Sequence, residues 1–138
     1  TEAAAEMNQD LAIIGAIRAT LVAEGLTVYD GTAPQDAPMP YVVIGEVRSN
    51  NADTDNTIGF EAMVDIHVWS EYRGRLEAAN MQEQIYNALH RNDTLSLLGD
   101  YHNIGITQDF AHVMVDPDGI TRHGVQQFTI TFDSPKLA

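Results

Sequence analysis

The strongest constraint on the fold is the strict alternation of apolar and other residues between Phe60 and Val68. The apolar positions are Phe60, Ala62, Val64, Ile66 and Val68, and the positions between them are Glu61, Met63, Asp65 and His67. Successive side chains of a β-strand point to opposite faces of its sheet. The pattern therefore predicts a strand that has one face buried in a core, with another layer packed against that face.

Two other segments follow the period of an α-helix. The first runs from Asn8 to Glu24, where Asn8 or Asp10 can cap the start and Gly25 is placed to end the helix in a left-handed conformation. Its apolar residues recur at three- and four-residue spacing and are Ile13, Ile14, Ile17 and Leu21. The second helix runs from Arg75 to His90. Its apolar stripe consists of Ala78, Met81, Ile85, Ala88 and Leu89.

The remaining apolar runs predict five more strands. We expect them at Leu26–Tyr29, Tyr41–Arg48, His102–Thr107, Phe110–Val115 and Val125–Phe132. The last two are joined by Asp116-Pro117-Asp118-Gly119, a turn in which Pro presets one dihedral and Gly accepts a positive φ. The order α-β-β-β-α-β-β-β predicts an α+β fold with two helices packed on a mostly antiparallel sheet. The 138 residues fit a single domain spanning residues 1–138.

The charge balance restricts the partners of the chain. Twenty Asp and Glu face seven Lys and Arg, which gives a net charge of −13. Such a chain cannot neutralise phosphates over a large surface, so we expect neither wrapping of nucleic acid nor docking on anionic membranes. The excess of acidic residues either increases the solubility of the protein or keeps one of its surfaces from adhering to DNA that passes nearby.

Cysteine usage and hydropathy indicate the compartment. The chain has no cysteine, which excludes disulfide frameworks and thiolate metal sites. No apolar run approaches the roughly 20 residues needed to cross a bilayer. The first ten residues, TEAAAEMNQD, are acidic and lack the pattern of a secretory signal. We therefore expect the chain to be made and assembled in a cytoplasm.

Motifs for catalysis or metal binding are weak. The five histidines, His67, His90, His102, His112 and His123, do not have the spacing of zinc ligands, although His112 and His123 could meet across the terminal hairpin. The segment Asp53–Thr57 begins like a calcium loop, but Ile58 stands where a glycine is required. No serine has a nucleophile elbow or an adjacent base. We therefore predict no catalytic residue, no metal site and no cofactor.

Two segments are candidates for protein interfaces. Ser49–Thr57 reads SNNADTDNT, which predicts a mobile hairpin arm or a long connection. The candidate interface residues of this arm are Asn50, Asn51, Asp53, Asp55 and Asn56. The second segment contains Trp69, Tyr72, Arg73 and Arg75. Two aromatic residues and two arginines could stack on bases, but beside a charge of −13 they favour a patch that faces another protein.

Three strings of the sequence occur in an order and spacing that resemble one family. They are VYDGTAPQDAPMPYVVIGE from Val28 to Glu46, HVWSEYRGRLEA from His67 to Ala78, and DPDGITRHGVQQF from Asp116 to Phe128. Together they resemble the tail-completion, or tail-terminator, proteins of long-tailed, siphovirus-like phages, which also occur in prophages and gene-transfer particles. The resemblance extends from about Leu11 to Phe132.

The resemblance implies a virion structural protein. Family members are small α+β subunits that close into a hexameric ring at the head-proximal end of the tail tube. The ring stops tube polymerisation and contacts both the tail tube protein and the head-completion, or connector, protein. DNA passes through its bore without specific binding. The family carries no catalytic residues, and assembly takes place in the cytoplasm of the host bacterium.

Several alternatives stay open at this point. Other assembly roles are a head–tail connector, a tube subunit or a tailocin cap. A small metal-dependent enzyme and a soluble ligand-binding domain are rivals of different classes. For the terminator role we hypothesise that the Ser49–Thr57 arm becomes ordered on the tube or on a neighbouring subunit, and that acidic side chains line the bore.

Overall fold

Two helices cover one face of a five-stranded sheet, which confirms the predicted α+β fold. The structure, a computed structural model, describes residues 7–137. Residues 1–6, part of the acidic stretch for which no secretory signal is expected, lie outside the described residues. The elements are α1 (Gln9–Ala23), β1 (Val28–Asp30), β2 (Tyr41–Asn51), β3 (Thr57–Ser70), α2 (Leu76–Leu89), a 3₁₀ turn (Leu98–Asp100), β4 (His102–Val115) and β5 (Arg122–Leu137).

The strand order in the sheet is β1-β2-β3-β5-β4. β1 pairs with β2 in parallel, whereas all the other neighbouring strands run antiparallel. The alternating strand β3 lies at the centre, and its Val68 faces Val42 on one side and Gly124 on the other. The predicted mostly antiparallel sheet is therefore confirmed.

The core lies between the helices and the sheet, where the alternation of β3 predicted it. Four of the five predicted inward residues of β3 are fully buried, namely Ala62, Val64, Ile66 and Val68. Phe60, nearer the end of the strand, is only partly buried and stacks on Phe132 of β5 with ring centroids 5.4 Å apart. Burying one large apolar side chain contributes about 1.5–3 kcal/mol, so this face holds the sheet and helices together.

Both helices present their predicted stripes to the core. In α1 the side chains of Ile13, Ile17 and Leu21 are fully buried and that of Ile14 is partly buried against the core, and in α2 all five predicted residues are buried. Asn8 caps α1, because its Oδ1 accepts hydrogen bonds from the backbone N–H groups of Asp10 at 2.8 Å and Leu11 at 3.4 Å. Gly25 follows the helix with φ 86°, the left-handed conformation that its position predicted.

β4 is one long strand where the sequence predicted two. Its pairing with β5 shifts register between Asn103 and Gly105 and again between Gln108 and Phe110. Each such bulge adds a residue and interrupts the two-residue period, so the pattern looked like two shorter strands. The observed sheet therefore has five strands rather than the six predicted.

The predicted arm Ser49–Thr57 is much shorter than expected. β2 continues to Asn51, which pairs with Phe60, and β3 already begins at Thr57. Only Ala52 to Asn56 connect the two strands, and we call these five residues the hairpin tip. The polar composition was misleading because this end of the hairpin is exposed to solvent and needs no apolar side chains.

The β4–β5 turn has the predicted chemistry. Gly119 has φ 74°, and its N–H donates to the carbonyl oxygen of Asp116 at 2.9 Å. The carboxylate of Asp118 accepts from the Thr121 hydroxyl at 2.6 Å and from the N–H of Ile120 at 2.8 Å. These bonds, that of Thr121 first, lower the pKa of Asp118.

Candidate interaction surfaces

The sheet face opposite the helices carries a row of polar and aromatic side chains. Trp69 and His67 of β3 lie there, as do Tyr41 of β2 and His123 and Gln127 of β5. All five are partly buried rather than enclosed, and no helix within residues 7–137 covers them. This uncovered face is therefore available to another molecule.

Trp69 and the two histidines form a stack on this face. The rings of Trp69 and His123 have centroids 3.8 Å apart and an interplanar angle of 9°. Nδ1 of His67 lies 2.7 Å from Nε2 of His123, a hydrogen bond in which one nitrogen carries the proton and the other accepts it. Burial lowers the pKa of both imidazoles, and for His123 the neighbouring His67 lowers it further. Burial therefore favours the neutral form of both rings.

A small groove lies beside this stack. Its volume is about 320 Å³, and the loop residues Gly31 to Ala33 form one wall. Gly45 of β2 is needed there, because a Cβ at this position would lie 2.8 Å from Nε2 of His67. No sequence motif indicated this arrangement, since only the strand register brings Gly45, His67 and His123 together.

The predicted Trp69–Arg75 patch is divided between two surfaces. Trp69 belongs to β3 and to the uncovered face, whereas Tyr72, Arg73 and Arg75 are exposed in the loop between β3 and α2. The buried Ser70 holds this loop, because its hydroxyl donates to Oε1 of Glu77 at 2.6 Å and accepts from the N–H of Tyr72 at 3.1 Å. The four residues therefore do not form one aromatic and basic patch.

Tyr72 lies instead beside an apolar groove at the start of α2. Its side chain is 53% exposed and that of Leu76 is 60% exposed. Together with Pro40 and Met81 they line a groove of about 370 Å³. Leu76 was not among the predicted interface residues, although it follows Arg75 directly.

The hairpin tip and the end of β2 that precedes it carry the other predicted residues. Asn50 and Asn51 belong to β2 and pair with β3. Oδ1 of Asp53 accepts from the N–H of Gly59 at 3.1 Å, which holds the tip back on β3. Asn56 accepts from the Thr54 hydroxyl at 3.2 Å. The exposed carboxylate of Asp55 has no partner among the residues that the structure describes.

At the opposite end of β3, three arginines belong to neighbouring segments, and two of them, Arg73 and Arg122, line one groove. Arg73 and Arg75 follow β3, and Arg122 at the start of β5 pairs with Ser70 in the last position of the β3 register. A groove of about 570 Å³ lies between the β3–α2 loop and the β4–β5 turn. It is lined by Glu71, Arg73, Gly74, Gly119, Ile120 and Arg122, and we call it the arginine groove. Arg122 and Ile120 were not predicted, because they lie about 45 residues further along the chain.

The described residues do not form a recognisable metal-binding site. Between residues 7 and 137 no three His, Asp or Glu side chains come together as a metal-binding group. His112 faces Val125 across the terminal hairpin, and His123 faces Met114 and hydrogen-bonds to His67. His112 and His123 are therefore not directly opposite each other, because the register offsets them by two residues, but His112 is close enough to help lower the pKa of His123. No helix in the same range is long and apolar enough to cross a membrane.

Comparison with known proteins identifies relatives of this chain in sequence and in fold. The chain is 29% identical over 100 residues to the tail completion protein gp17 of Bacillus phage SPP1, covering 72% of each protein. The structure of SPP1 gp17 matches with a TM-score of 0.54 and 26% identity, over 87% of this chain and 88% of that one. A chain from the virion of a native gene transfer agent particle shares the fold, with a TM-score of 0.71 at 20% identity over 88% of this chain and 92% of that one. Residues 7–133 match the family described as tail completion protein gp17, and the chain therefore belongs to this family of phage tail proteins.

Proposed function

We propose that the chain forms a ring that caps the head-proximal end of the tail tube, stops its polymerisation and joins the tail to the head. Family membership supports a structural role in tail completion. The proposal extends that role to self-association into a hexamer, to contact with the tail tube protein and the head-completion protein, and to a place in the virion after assembly in the bacterial cytoplasm. In this role the chain is not an enzyme and needs no cofactor.

The observation that carries the proposal is the exposed apolar end of edge strand β4. Phe110, Met114 and Val115 are 43%, 40% and 54% exposed, and Ile120 in the following turn is 62% exposed. β4 is the last strand of the sheet order, so its outer side faces solvent or a partner. A free edge strand with exposed apolar side chains favours pairing with another chain. In a ring, each such surface meets a different surface of the next copy, and closure of the ring leaves none of them unmatched.

The predicted interface residues fit this role on three surfaces. Around the hairpin tip they are Asn50, Asn51, Asp53, Asp55 and Asn56. Tyr72, Arg73 and Arg75 lie in the β3–α2 loop, and Trp69 lies on the uncovered sheet face. The tip is polar and exposed, whereas Tyr72 adjoins an apolar groove. Aromatic residues and arginine are the types that dominate binding energy at protein interfaces, which supports the loop as a contact with another tail component.

The acidic balance suits a bore through which DNA passes. With a net charge of −13 per subunit, a ring of six copies has a strongly negative field. Acidic side chains that line the bore would repel phosphates and let DNA slide without specific binding.

Tail morphology tests the function directly. Particles produced without this protein should carry overlong tails in negative-stain images, because nothing stops the tube. Adding the purified protein to growing tubes should restore a defined length and place a ring at one end. Filled heads without tails, with free tails of normal length, would show that the protein is a head–tail connector instead.

A further inference from the structure

We propose that neighbouring copies of the chain join head to tail through the hairpin tip of one copy and the arginine groove of the next. This inference rests on the proposed function, because it supposes a ring, and it names the contact that would close that ring. The tip offers the carboxylates of Asp53 and Asp55, and the groove offers the guanidinium groups of Arg73 and Arg122, with the exposed Arg75 two residues further along the same loop.

The groove concentrates positive charge in an acidic protein. Three of the six arginines of the chain lie at this one end of the sheet. Arg122 is oriented by its own turn, since its Nη1 donates to the carbonyl oxygen of Ile120 at 2.9 Å. Neither Arg73 nor Arg75 has a side-chain partner within residues 7–137. Two exposed guanidinium groups without a protein partner are available to bind carboxylates, and bidentate pairing with a carboxylate is the strongest contact that a guanidinium group makes.

The apolar wall of the groove favours a protein partner over DNA. Ile120 lines the groove with 62% of its side chain exposed, and Val115 lies nearby at the end of β4 with 54% exposed. Such apolar side chains make no favourable contact with a phosphate backbone, whereas protein interfaces combine an apolar centre with arginines. Glu71 also lines the groove, and with a charge of −13 on the chain it weakens the attraction for a polyanion.

The hairpin tip has the complementary chemistry. Asp55 is exposed and its carboxylate has no partner in the described part of the chain. Asp53 holds the tip on β3 through the N–H of Gly59, so the tip is ordered before binding and loses little entropy on docking. Gly59 permits this close turn, because a Cβ there would lie 2.5 Å from the carbonyl oxygen of Ala52.

The two surfaces lie at opposite ends of one strand. β3 runs from Thr57, next to the tip, to Ser70, next to the groove, and 13 residue steps at about 3.3 Å each separate them by about 43 Å. A tip cannot reach the groove of its own chain over that distance. Contact between the two must therefore join different copies, and a contact between unlike surfaces generates rings when its rotation closes.

Cross-linking between single-cysteine variants tests the contact, because the chain has no cysteine of its own. Asp55→Cys and Arg73→Cys proteins are mixed on capped tail ends and treated with a short bis-maleimide. We expect a dimer band that requires both variants, and a ladder up to the closed ring for the double variant. Arg18→Cys, on the exposed side of α1, mixed with Arg73→Cys is the matched control and should give no band.

Charge reversal gives the second test. Asp55→Arg and the pair Arg73→Glu/Arg75→Glu should each weaken ring formation about tenfold or more in sedimentation measurements, and combining all three should restore it. Rings that form without the Asp55–Arg73 cross-link, or that do not respond to charge reversal, would overturn this contact and leave the capping function intact.

Two further outcomes separate the alternatives. If no ring forms on tail ends with the unmodified protein, the proposed function itself fails. If Arg73→Glu/Arg75→Glu abolishes binding of a 20-base-pair DNA probe at low salt while Asp55→Arg does not affect ring formation, the groove is a DNA site and the head-to-tail contact is wrong.

Discussion

The indole of Trp69 lies flat against the imidazole of His123, with the ring centroids 3.8 Å apart and the planes 9° from parallel. The two residues face each other across the β3–β5 register, and His123 is hydrogen-bonded in turn to His67. Trp69 is the only tryptophan of the chain. Its fluorescence therefore reports directly on the state of the histidine pair.

We expect the fluorescence of Trp69 to fall as the pH is lowered. An imidazolium in contact with an indole quenches its emission, and burial holds the pKa of His123 below its usual value of about 6.5. The loss of emission should therefore have its midpoint below pH 6.5. An emission titration from pH 8 to pH 5 measures it, and a His123→Gln variant should show no such transition. A midpoint above pH 6.5 would contradict the burial of the pair.

The same pair should make folding less stable in mild acid. The folded-state pKa values of His67 and His123 are lowered by burial, so the unfolded chain binds protons first as the pH falls below about 6.5. The stabilisation is complete above pH 6.5 and is lost as the pH falls toward the folded pKa values. Urea unfolding between pH 8 and pH 5.5 should show this decline. A His67→Asn/His123→Gln variant should show a flatter profile over that window.

Gly124 near the start of β5 should not accept a side chain. A Cβ there would lie 2.5 Å from Nε2 of Gln82 in α2 and 2.6 Å from Cγ2 of Val68 in β3. We expect Gly124→Ala to lower the free energy of unfolding by about 1–3 kcal/mol, the usual cost of overpacking. Gly105→Ala in β4 is the control, because its Cβ would meet no atom within 4 Å. Equal effects of the two changes in urea unfolding would refute the packing argument.

Replacing the side chain of Gln126 by an apolar one should destabilise the fold less than replacing it by a charged one. It is fully buried, and its Nε2 donates at 2.9 Å to the backbone oxygen of Gln82 and at 2.9 Å to Oε1 of Gln108. Gln126→Met removes these bonds at a cost of about 1–2 kcal/mol. Gln126→Glu places a carboxylate against two oxygen atoms and should cost about 3 kcal/mol or more at neutral pH. Its deficit relative to Gln126→Met should shrink at pH 5, where the carboxyl group takes up a proton.

Tyr72 and Leu76 should matter for assembly and not for folding. Both are more than half exposed, so Tyr72→Ala/Leu76→Ser should change the free energy of unfolding by less than about 0.5 kcal/mol. The same variant should reduce the fraction of capped tails in negative-stain images, because the groove loses its apolar lining. Val22→Ser, at an exposed apolar position on α1, serves as control and should cap normally. Normal capping by the Tyr72 and Leu76 variant would remove this groove from the interface.

The local sequence pattern predicted the buried face correctly where one hydrophobic period extends over a whole helix or strand. The alternation from Phe60 to Val68 assigned the buried face of β3, and the helical stripes of α1 and α2 were buried as predicted. The pattern failed in β4, because two bulges interrupt its period. It also failed at Ser49–Thr57, because a strand end in solvent has the composition of a loop. A hydrophobic pattern indicates which residues of a segment are buried. It therefore gives no information on a segment whose side chains are exposed.

Sequence alone therefore decided the fold class, the core positions and the helix boundaries, since these depend on neighbours within a few residues along the chain. Only the tertiary structure decided which surfaces exist. The register of β3 with β5 brings Trp69 to His123 and Arg122 to the loop of Arg73, across more than 45 residues of sequence. Such contacts depend on hydrogen-bond register between distant strands, and no local period encodes that register.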